Sequence, residues 1–191
     1  MTLENKPSKI SATRLLAYLA LSITLLIIGA IIKIPFAVPM TLQFATAMLI
    51  TFVLGEYSIL AMAIYLIMGL CGLPIFALGG GISYLLQPSF GYLIGFLISC
   101  PICGKIINPQ LSNNRATLKR AIIAFILQLL IVYAIGACYH LAVYRLYLHS
   151  TLPLGELLLI SILSTIWKDL LLGALMLPVG IKLQRVVGLK K

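Results

Sequence analysis

Long apolar runs, separated by short segments rich in polar residues, proline or glycine, make up almost the whole chain. A hydrocarbon core about 30 Å thick is crossed by about 20 apolar residues in helical form. Two of the runs are only about 14 residues long, a length also found in re-entrant segments. The pattern predicts six helices, at about Leu15–Ile32, Thr41–Leu54, Tyr57–Leu70, Phe90–Ile107, Ala121–Leu148 and Leu154–Lys182.

One apolar segment is not predicted to be a continuous helix. Residues 71–91, "CGLPIFALGGGISYLLQPSFG", contain three consecutive glycines and two prolines, which interrupt helices. Backbone polar groups that such a segment leaves unpaired need protein or water partners at membrane depth. We therefore expect these residues to fold over or into a cavity.

The distribution of lysine and arginine predicts the topology, since these residues favour the cytoplasmic side of short loops. With six spans and both termini in the cytoplasm, eleven of the fourteen basic residues lie in cytoplasmic segments and two, Lys33 and Arg145, lie outside. Five or seven spans would scramble that division. The predicted organisation is a cytoplasmic tail at 1–14, a single six-helix transmembrane domain at 15–185 and a basic cytoplasmic tail at 186–191. The eleven cytoplasmic residues are Lys6, Lys9, Arg14, Lys105, Arg115, Lys119, Arg120, Lys182, Arg185, Lys190 and Lys191.

Composition gives the same class of protein. Of the 191 residues, 62% are hydrophobic and 9% charged, too few polar side chains to cover a soluble globular surface. The net charge is +10, and the lysine and arginine residues lie between the apolar runs rather than along one basic stripe. Their positions therefore indicate membrane topology and not a nucleic-acid partner. The first run is too long for a typical signal peptide and no A-x-A site follows it. We expect an all-α, multi-pass protein of the cytoplasmic (inner) membrane, with the lipid bilayer as its solvent.

Two adjacent charges interrupt the last apolar run, "SILSTIWKDLLLGALMLP". Each of Lys168 and Asp169 costs a few kcal/mol at a bilayer centre, and such residues usually mark a binding site or an ion pathway. Ser161, Ser164, Thr165 and Lys168 fall within about 100° of one another on a helical wheel, and Asp169 borders that face. The stripe predicts a ligand-lining surface; the alternative is a charged pair that only holds helices together.

Other polar residues have weaker implications. Gln43 opens the second helix and is kept as a candidate ligand residue, whereas Gln128 is assigned to interhelical packing. The pair Cys100-Pro-Ile-Cys103 is assigned to a helix end, because the second cysteine pair and the histidine spacing of a zinc site are missing.

Catalysis is disfavoured. Asp169 is the only aspartate, which excludes a paired-aspartate protease, and the chain contains neither H-E-x-x-H nor a complete G-x-S-x-G. The glycines at 79–81 are followed by no suitable lysine, so the chain has no ATP-binding P-loop. We expect no enzymatic activity, no metal and no cofactor.

Four segments together resemble the BioY-type substrate-binding (S) subunits of energy-coupling factor (ECF) vitamin transporters, which take up biotin. They are "VPMTLQ" at 38–43, "YLIMGLCGLPIFALGGG" at 65–81, "QPSFGYLIGF" at 87–96, and Asp169 in the last helix. The resemblance spans about residues 15–185. It implies a six-helix S-component bundle with biotin bound near the outer side, beneath the loop between helices three and four. It also implies docking on a membrane T-component that is coupled to two ATPase subunits.

Two departures from the family pattern matter. Members commonly read Pro-Thr-Gly-Gly-Tyr where this chain has Pro88-Ser89-Phe90-Gly91-Tyr92. They also commonly read Asp-Leu-x-Lys in the last helix, whereas three leucines follow Asp169 here. Lys168 differs from the direction of the missing lysine by about 40° on the wheel and by about 6 Å along the axis. We hypothesise that its long side chain substitutes for that lysine.

The chemistry of biotin suits this hypothesis. Its ureido N–H groups need an acceptor such as Asp169, its valerate carboxylate needs a cation, and its bicyclic ring needs apolar or aromatic walls. The candidate ligand-binding residues are Asp169, Lys168, Gln43, Gly81, Tyr84, Tyr92 and Trp167.

Two alternatives remain open. The chain can be an S-component for another small vitamin, because the six-helix plan and the aspartate do not name the ligand. It can also be a membrane scaffold whose buried pair is structural. The A-x-x-x-A pattern that S-components often show on helix 1 is absent, and Ala20 to Thr24 is the nearest small-x-x-x-small pair.

Overall fold

The computed structural model of the protein describes residues 11–34, 40–108, 117–148, 153, 155–156 and 159–187. Its helices, in chain order, are α1 Ala12–Ile31, α2 Gln43–Leu54, α3 Ser58–Leu70, α4 Phe90–Ile107, α5 Leu118–Ala142 and α6 Ser164–Val187. Shorter turns are the 3-10 segments Gly55–Tyr57 and Ile82–Leu86 and the π-helical segments Val143–Tyr147 and Leu159–Leu163. The predicted all-α class is confirmed.

Four helical runs among the described residues are long and apolar enough to cross a membrane: Ala12–Ile31, Gln43–Leu70, Phe90–Ile107 and Leu118–Tyr147. The second run contains both α2 and α3, which are joined only by the 3-10 turn at Gly55–Tyr57. The predicted bounds of these two helices are correct to within two residues. The count of six spans stays a prediction, because α2 and α3 lie in one of the four runs and α6 is not among them.

The connection between α1 and α2 contains a pairing that the sequence pattern did not predict. Strands β1 (Lys33–Ile34) and β2 (Met40–Thr41) are antiparallel, with Lys33 opposite Thr41. Two residues per strand are too few for a hydrophobic period to be visible. The second helix therefore begins at Gln43, two residues after the predicted start at Thr41. The first helical hydrogen bond runs from the Thr46 N–H to the Leu42 oxygen, so the Thr41 carbonyl precedes the helix.

Helix α2 lies in the centre of the bundle. Ten of its twelve residues are buried, and it packs against α1, α4 and α6. A helix that is apolar all round is typical of such a central position.

Glycines allow α4 and α5 to approach closely. A Cβ on Gly95 would meet the Val132 backbone at 2.8 Å, and a Cβ on Gly136 would collide with the Tyr92 ring. Small residues at helix interfaces let backbones come together in membrane proteins. The Tyr92 ring consequently lies directly over α5.

The segment 71–91 is irregular, as predicted. The backbones of Phe76 and Gly79 form an isolated antiparallel bridge, and a 3-10 turn follows at Ile82–Leu86. Gly81 has a φ of 100°, a conformation that favours glycine, and its N–H donates to the Gly69 oxygen at 2.7 Å. This loop, residues 71–89, is thus tied to the end of α3.

The ends of the last two helices differ from the prediction. Helix α5 begins three residues earlier, at Leu118, and Leu154, the predicted start of the sixth helix, lies outside the described residues. Helix α6 continues past the predicted end at Lys182 to Val187. Gln184 is buried and hydrogen bonds to the Asn108 side chain at the end of α4. This tertiary contact stabilises a polar final turn that the hydrophobic pattern does not show.

Candidate functional site

The two intramembrane charges on α6 form a buried ion pair. Lys168 Nζ lies 2.7 Å from Asp169 Oδ1, and both side chains are buried. The ammonium also donates to the backbone oxygen of Thr41, at 2.7 Å. That oxygen is available because Thr41 lies in β2, before the first helical hydrogen bond of α2.

Tyr133 on α5 binds the other oxygen of the carboxylate. Its hydroxyl oxygen lies 2.8 Å from Asp169 Oδ2 and 3.1 Å from Thr165 Oγ1. A tyrosine hydroxyl has one proton, and the carboxylate accepts but cannot donate. Tyr133 therefore donates to Asp169, and Thr165 donates to Tyr133.

These contacts leave part of the carboxylate unused. Asp169 Oδ1 is buried and accepts no hydrogen bond of good geometry from the described residues, although the ammonium is close to it. A carboxylate oxygen has room for more than one donor. We call Thr41, Tyr133, Thr165, Lys168 and Asp169 the charged cluster.

An aromatic side chain borders the charged cluster from α4. The rings of Tyr92 and Tyr133 are 5.6 Å apart and nearly perpendicular, the edge-to-face arrangement that aromatic pairs prefer. Three helices, α4, α5 and α6, therefore contribute to one location.

A second group of contacts holds the loop 71–89. Gln43 Nε2 donates to the Tyr65 hydroxyl at 3.1 Å, and that hydroxyl donates to the Ile75 oxygen at 3.1 Å. We call Gln43, Tyr65 and Ile75 the loop anchor. Its ring pairs continue from Tyr65 to Phe76 at 5.3 Å and from Phe76 to Tyr84 at 4.6 Å.

The two groups meet at the start of α2. Thr41 of the charged cluster and Gln43 of the loop anchor are separated by one residue. The start of α2 therefore carries one member of each group.

The profile of the BioY family matches residues 3–189 of the chain. The chain belongs to the BioY family. It is 35% identical over 167 residues to the probable biotin transporter BioY of Lysinibacillus sphaericus, covering 86% of this chain and 84% of that one. It is 30% identical over 165 residues to the biotin transporter BioY of Thermotoga maritima, covering 85% and 90%.

A solved structure has the same fold. The S-component for biotin from an ECF-type ABC transporter superposes with a TM-score of 0.74 at 24% identity, covering 97% of this chain and 95% of that one. Together with its long apolar helices, BioY membership makes this chain a multi-pass membrane protein of a transporter family, not an enzyme.

The seven candidate residues of this BioY chain fall in four places. Asp169 and Lys168 form the charged cluster, and Tyr92 borders it through Tyr133. Gln43 and Tyr84 belong to the loop anchor and its ring series.

The remaining candidates make no described contact with the charged cluster. Gly81 shapes the loop through its backbone, and Trp167 is 42% exposed on α6. Of the predicted polar stripe, Thr165 contributes to the charged cluster. The side chains of Ser161 and Ser164 lie outside the described part of the chain.

Sequence reasoning missed Tyr133, Tyr65 and the Thr41 carbonyl. A tyrosine near the middle of an apolar helix is a signal for the first two, because a buried tyrosine hydroxyl usually finds a partner. A backbone carbonyl has no sequence signal at all.

Gln128 packs between helices, as predicted. It is buried and donates to Cys100 Sγ at 3.4 Å. Cys100 and Cys103 are buried and free, and the described residues contain no group of three or more histidine, cysteine or acidic side chains that could hold a metal.

Proposed function

We propose that this chain is the biotin-binding membrane subunit, or S-component, of an ECF-type transporter that takes up biotin. The observation that carries the proposal is the buried Lys168–Asp169 pair. Within the part of the chain that the structure describes, Asp169 Oδ1 accepts no well-formed hydrogen bond, although Tyr133 donates to Oδ2. The names of the BioY relatives support the choice of ligand.

In this proposal Asp169 Oδ1 accepts a ureido N–H of biotin. A charge-assisted hydrogen bond of this kind is about twice as strong as a neutral one. A buried carboxylate also rejects ligands that present only acceptors at that point, because its own lone pairs would stay unpaired.

Lys168 binds the valerate carboxylate. In the structure its ammonium lies 2.7 Å from Asp169 Oδ1 and donates to the Thr41 oxygen. The ureido and carboxylate groups are at opposite ends of biotin. Lys168 therefore reaches the valerate by swinging its flexible stem away from Asp169, and the ureido N–H takes its place at Oδ1.

The bicyclic ring of biotin lies against aromatic walls. In the proposal these walls are Tyr92 on α4, which packs on Tyr133, Tyr84 in the loop and Trp167 on α6. Gln43 and the backbone of Gly81 offer polar contacts beneath and within the loop 71–89, which covers the ligand.

The membrane arrangement is part of the proposal. The chain crosses the cytoplasmic membrane six times with both termini inside, with tails at 1–14 and 186–191 and a single domain at 15–185. The eleven-to-two distribution of basic residues supports this topology. We also propose that the chain docks on a T-component coupled to ATPase subunits. The shared fold with the S-component for biotin from an ECF-type ABC transporter supports this assembly, and any ATP-driven uptake needs a partner because the chain has no P-loop.

Equilibrium binding of labelled biotin to the purified protein in detergent tests the ligand, with riboflavin and thiamine as competitors. We expect saturable binding that only biotin displaces. Displacement of labelled biotin by another vitamin would show that the site also binds that vitamin and would contradict a biotin-specific S-component. If the protein stays monodisperse and binds no vitamin, the proposed function is wrong. The remaining explanation is then a membrane scaffold in which the ion pair is structural.

Reporter fusions test the topology. Fusions after residues 108 and 191 should be active with a cytoplasmic reporter, and fusions after residues 33 and 148 with an extracytoplasmic one. The opposite result at any of these four sites would contradict six spans with both termini inside.

A further inference from the structure

We infer that Tyr133 is a positioning residue for the ligand: it holds one oxygen of Asp169 so that the other oxygen is presented to a ligand N–H. The inference rests on the proposed function and adds a residue that does not itself contact the ligand. Its basis is the hydrogen bond from the Tyr133 hydroxyl to Asp169 Oδ2, at 2.8 Å.

The carboxylate needs such a contact because its final torsion is soft. Rotation of an aspartate carboxylate about χ2 is broad and roughly two-fold. Among the described residues its only other close partner is Lys168, 2.7 Å from Oδ1, so without the tyrosine the group could turn both oxygens toward the ammonium. The hydroxyl at Oδ2 opposes that rotation.

Tyr133 is itself fixed from two other helices. Thr165 on α6 donates to its hydroxyl at 3.1 Å, and the Tyr92 ring on α4 packs against its ring edge-to-face. The side chain is buried, with 6% of its surface exposed. Gly136, three residues along α5, leaves the space that the Tyr92 ring occupies.

The competing explanation is that Tyr133 only fastens α5 to α6. Both explanations predict lower stability when the hydroxyl is removed. A positioning role predicts that the effect on biotin affinity depends on Asp169 and is larger for ligands that keep the ureido N–H, whereas a fastening role predicts no such preference among ligands. A double-mutant cycle measures that dependence.

The cycle uses Tyr133→Phe, Asp169→Asn and the double variant, with the dissociation constant of labelled biotin as readout. Losing a hydrogen bond to a charged group corresponds to about a tenfold loss. We expect Tyr133→Phe to weaken binding about tenfold in the parent and less than twofold in the Asp169→Asn background. Tyr144→Phe, in the π-helical turn that follows α5, is the matched control and should bind as the parent does.

If Asp169→Asn binds no measurable biotin, a competition experiment is used instead of the double-mutant cycle. Biotin analogues methylated on one or the other ureido nitrogen each lack one N–H. Competition with labelled biotin gives the ratio of the dissociation constants of each analogue and of biotin, which measures the discrimination against loss of that N–H. Tyr133→Phe should reduce the discrimination for one of the two analogues about tenfold. Thr165→Val, which keeps the tyrosine, should reduce the discrimination for the same analogue by about threefold. If Tyr133→Phe does not fold, the Thr165→Val variant tests the positioning role instead.

Three outcomes are distinguishable. Coupled losses support the inference. Unchanged affinity in Tyr133→Phe, or losses that multiply across the cycle, would overturn it and assign the tyrosine to helix packing. Absence of biotin binding in the parent protein would instead refute the proposed function.

Discussion

The ammonium of Lys168 donates to the backbone oxygen of Thr41 at 2.7 Å, across 127 positions of the sequence. The contact ties α6 to the strand that leads into α2. Because the same ammonium pairs with Asp169, one side chain links the central helix to the acceptor of the proposed site. The lysine charge therefore contributes both to the fold and to the proposed site. We expect its removal to change biotin affinity and the stability of the helix bundle by different amounts.

Replacing Lys168 by methionine tests the carboxylate contact. The variant keeps the apolar stem but loses the cation, so we expect biotin to bind about tenfold or more weakly. The amide of biotin, which has no carboxylate, should bind parent and variant about equally. Competition binding with both compounds gives the result, and Lys182→Met, an exposed lysine on the same helix, is the control. Equal affinity of Lys168→Met and the parent for biotin would refute the role of this lysine.

Replacing Asp169 by asparagine should impair both binding and stability. The variant leaves a buried ammonium without its anion, a change that costs about 3–5 kcal/mol in soluble proteins. We expect a lower midpoint of thermal unfolding and a loss of biotin affinity of about 10- to 100-fold. Glu156→Gln, which removes an exposed carboxylate, should change neither quantity. An Asp169→Asn protein with parental affinity would show that the carboxylate does not bind biotin.

Removing the hydroxyl of Tyr65 tests the loop anchor. Tyr65→Phe deletes the contacts to Gln43 and to the Ile75 oxygen, which contribute about 1 kcal/mol each. We expect faster amide hydrogen exchange in residues 71–81 and biotin affinity weakened several-fold. Tyr57→Phe, at the partly exposed turn before α3, is the matched variant and should leave exchange in the loop unchanged. Unaltered exchange in Tyr65→Phe would mean that the ring contacts and the backbone hydrogen bonds, such as that from Gly81 to Gly69, hold the loop without the tyrosine hydroxyl.

The packing within the loop 71–89 should not tolerate a methyl group added at Gly80. A Cβ on Gly80 would strike the Leu73 carbonyl, which is backbone and cannot rotate away. Overpacking of this kind costs about 1–3 kcal/mol. Gly80→Ala should lower the unfolding midpoint and weaken biotin binding, whereas Gly155→Ala, with nothing within 4 Å of its added Cβ, should do neither. Thermal unfolding with and without biotin measures both effects.

Gln128 should be dispensable for ligand binding. It donates to Cys100 Sγ inside the α4–α5 interface, a contact worth about 1 kcal/mol or less in membrane helices. We expect Gln128→Met to keep the biotin dissociation constant within twofold of the parent value, with a small decrease in stability. A large loss of affinity would place this glutamine in the site and contradict its assignment to packing.

The apolar runs predicted much of the helical structure. The bounds of α4 were predicted without error and those of α2 and α3 to within two residues, because proline- and glycine-containing segments flank these runs. The end of α6 was predicted too early, since its polar last turn is stabilised by Gln184 against Asn108 and not by apolar burial. Helix ends that depend on tertiary contacts leave no trace in a hydrophobic pattern.

For the site, the sequence by itself identified Lys168 and Asp169, because charge in a membrane helix is costly and rarely placed without a partner. It could not identify what surrounds them. The Thr41 carbonyl is a group that every residue has, and only the short β1–β2 pairing leaves it outside the helix that follows. Tyr133 is one of nine tyrosines, and only the glycine-mediated approach of α4 to α5 and the packing of α6 bring it to the carboxylate. The local cost of each charge is determined by the residue type and its neighbours along the chain, whereas the partners that offset this cost are brought together by the packing of distant helices.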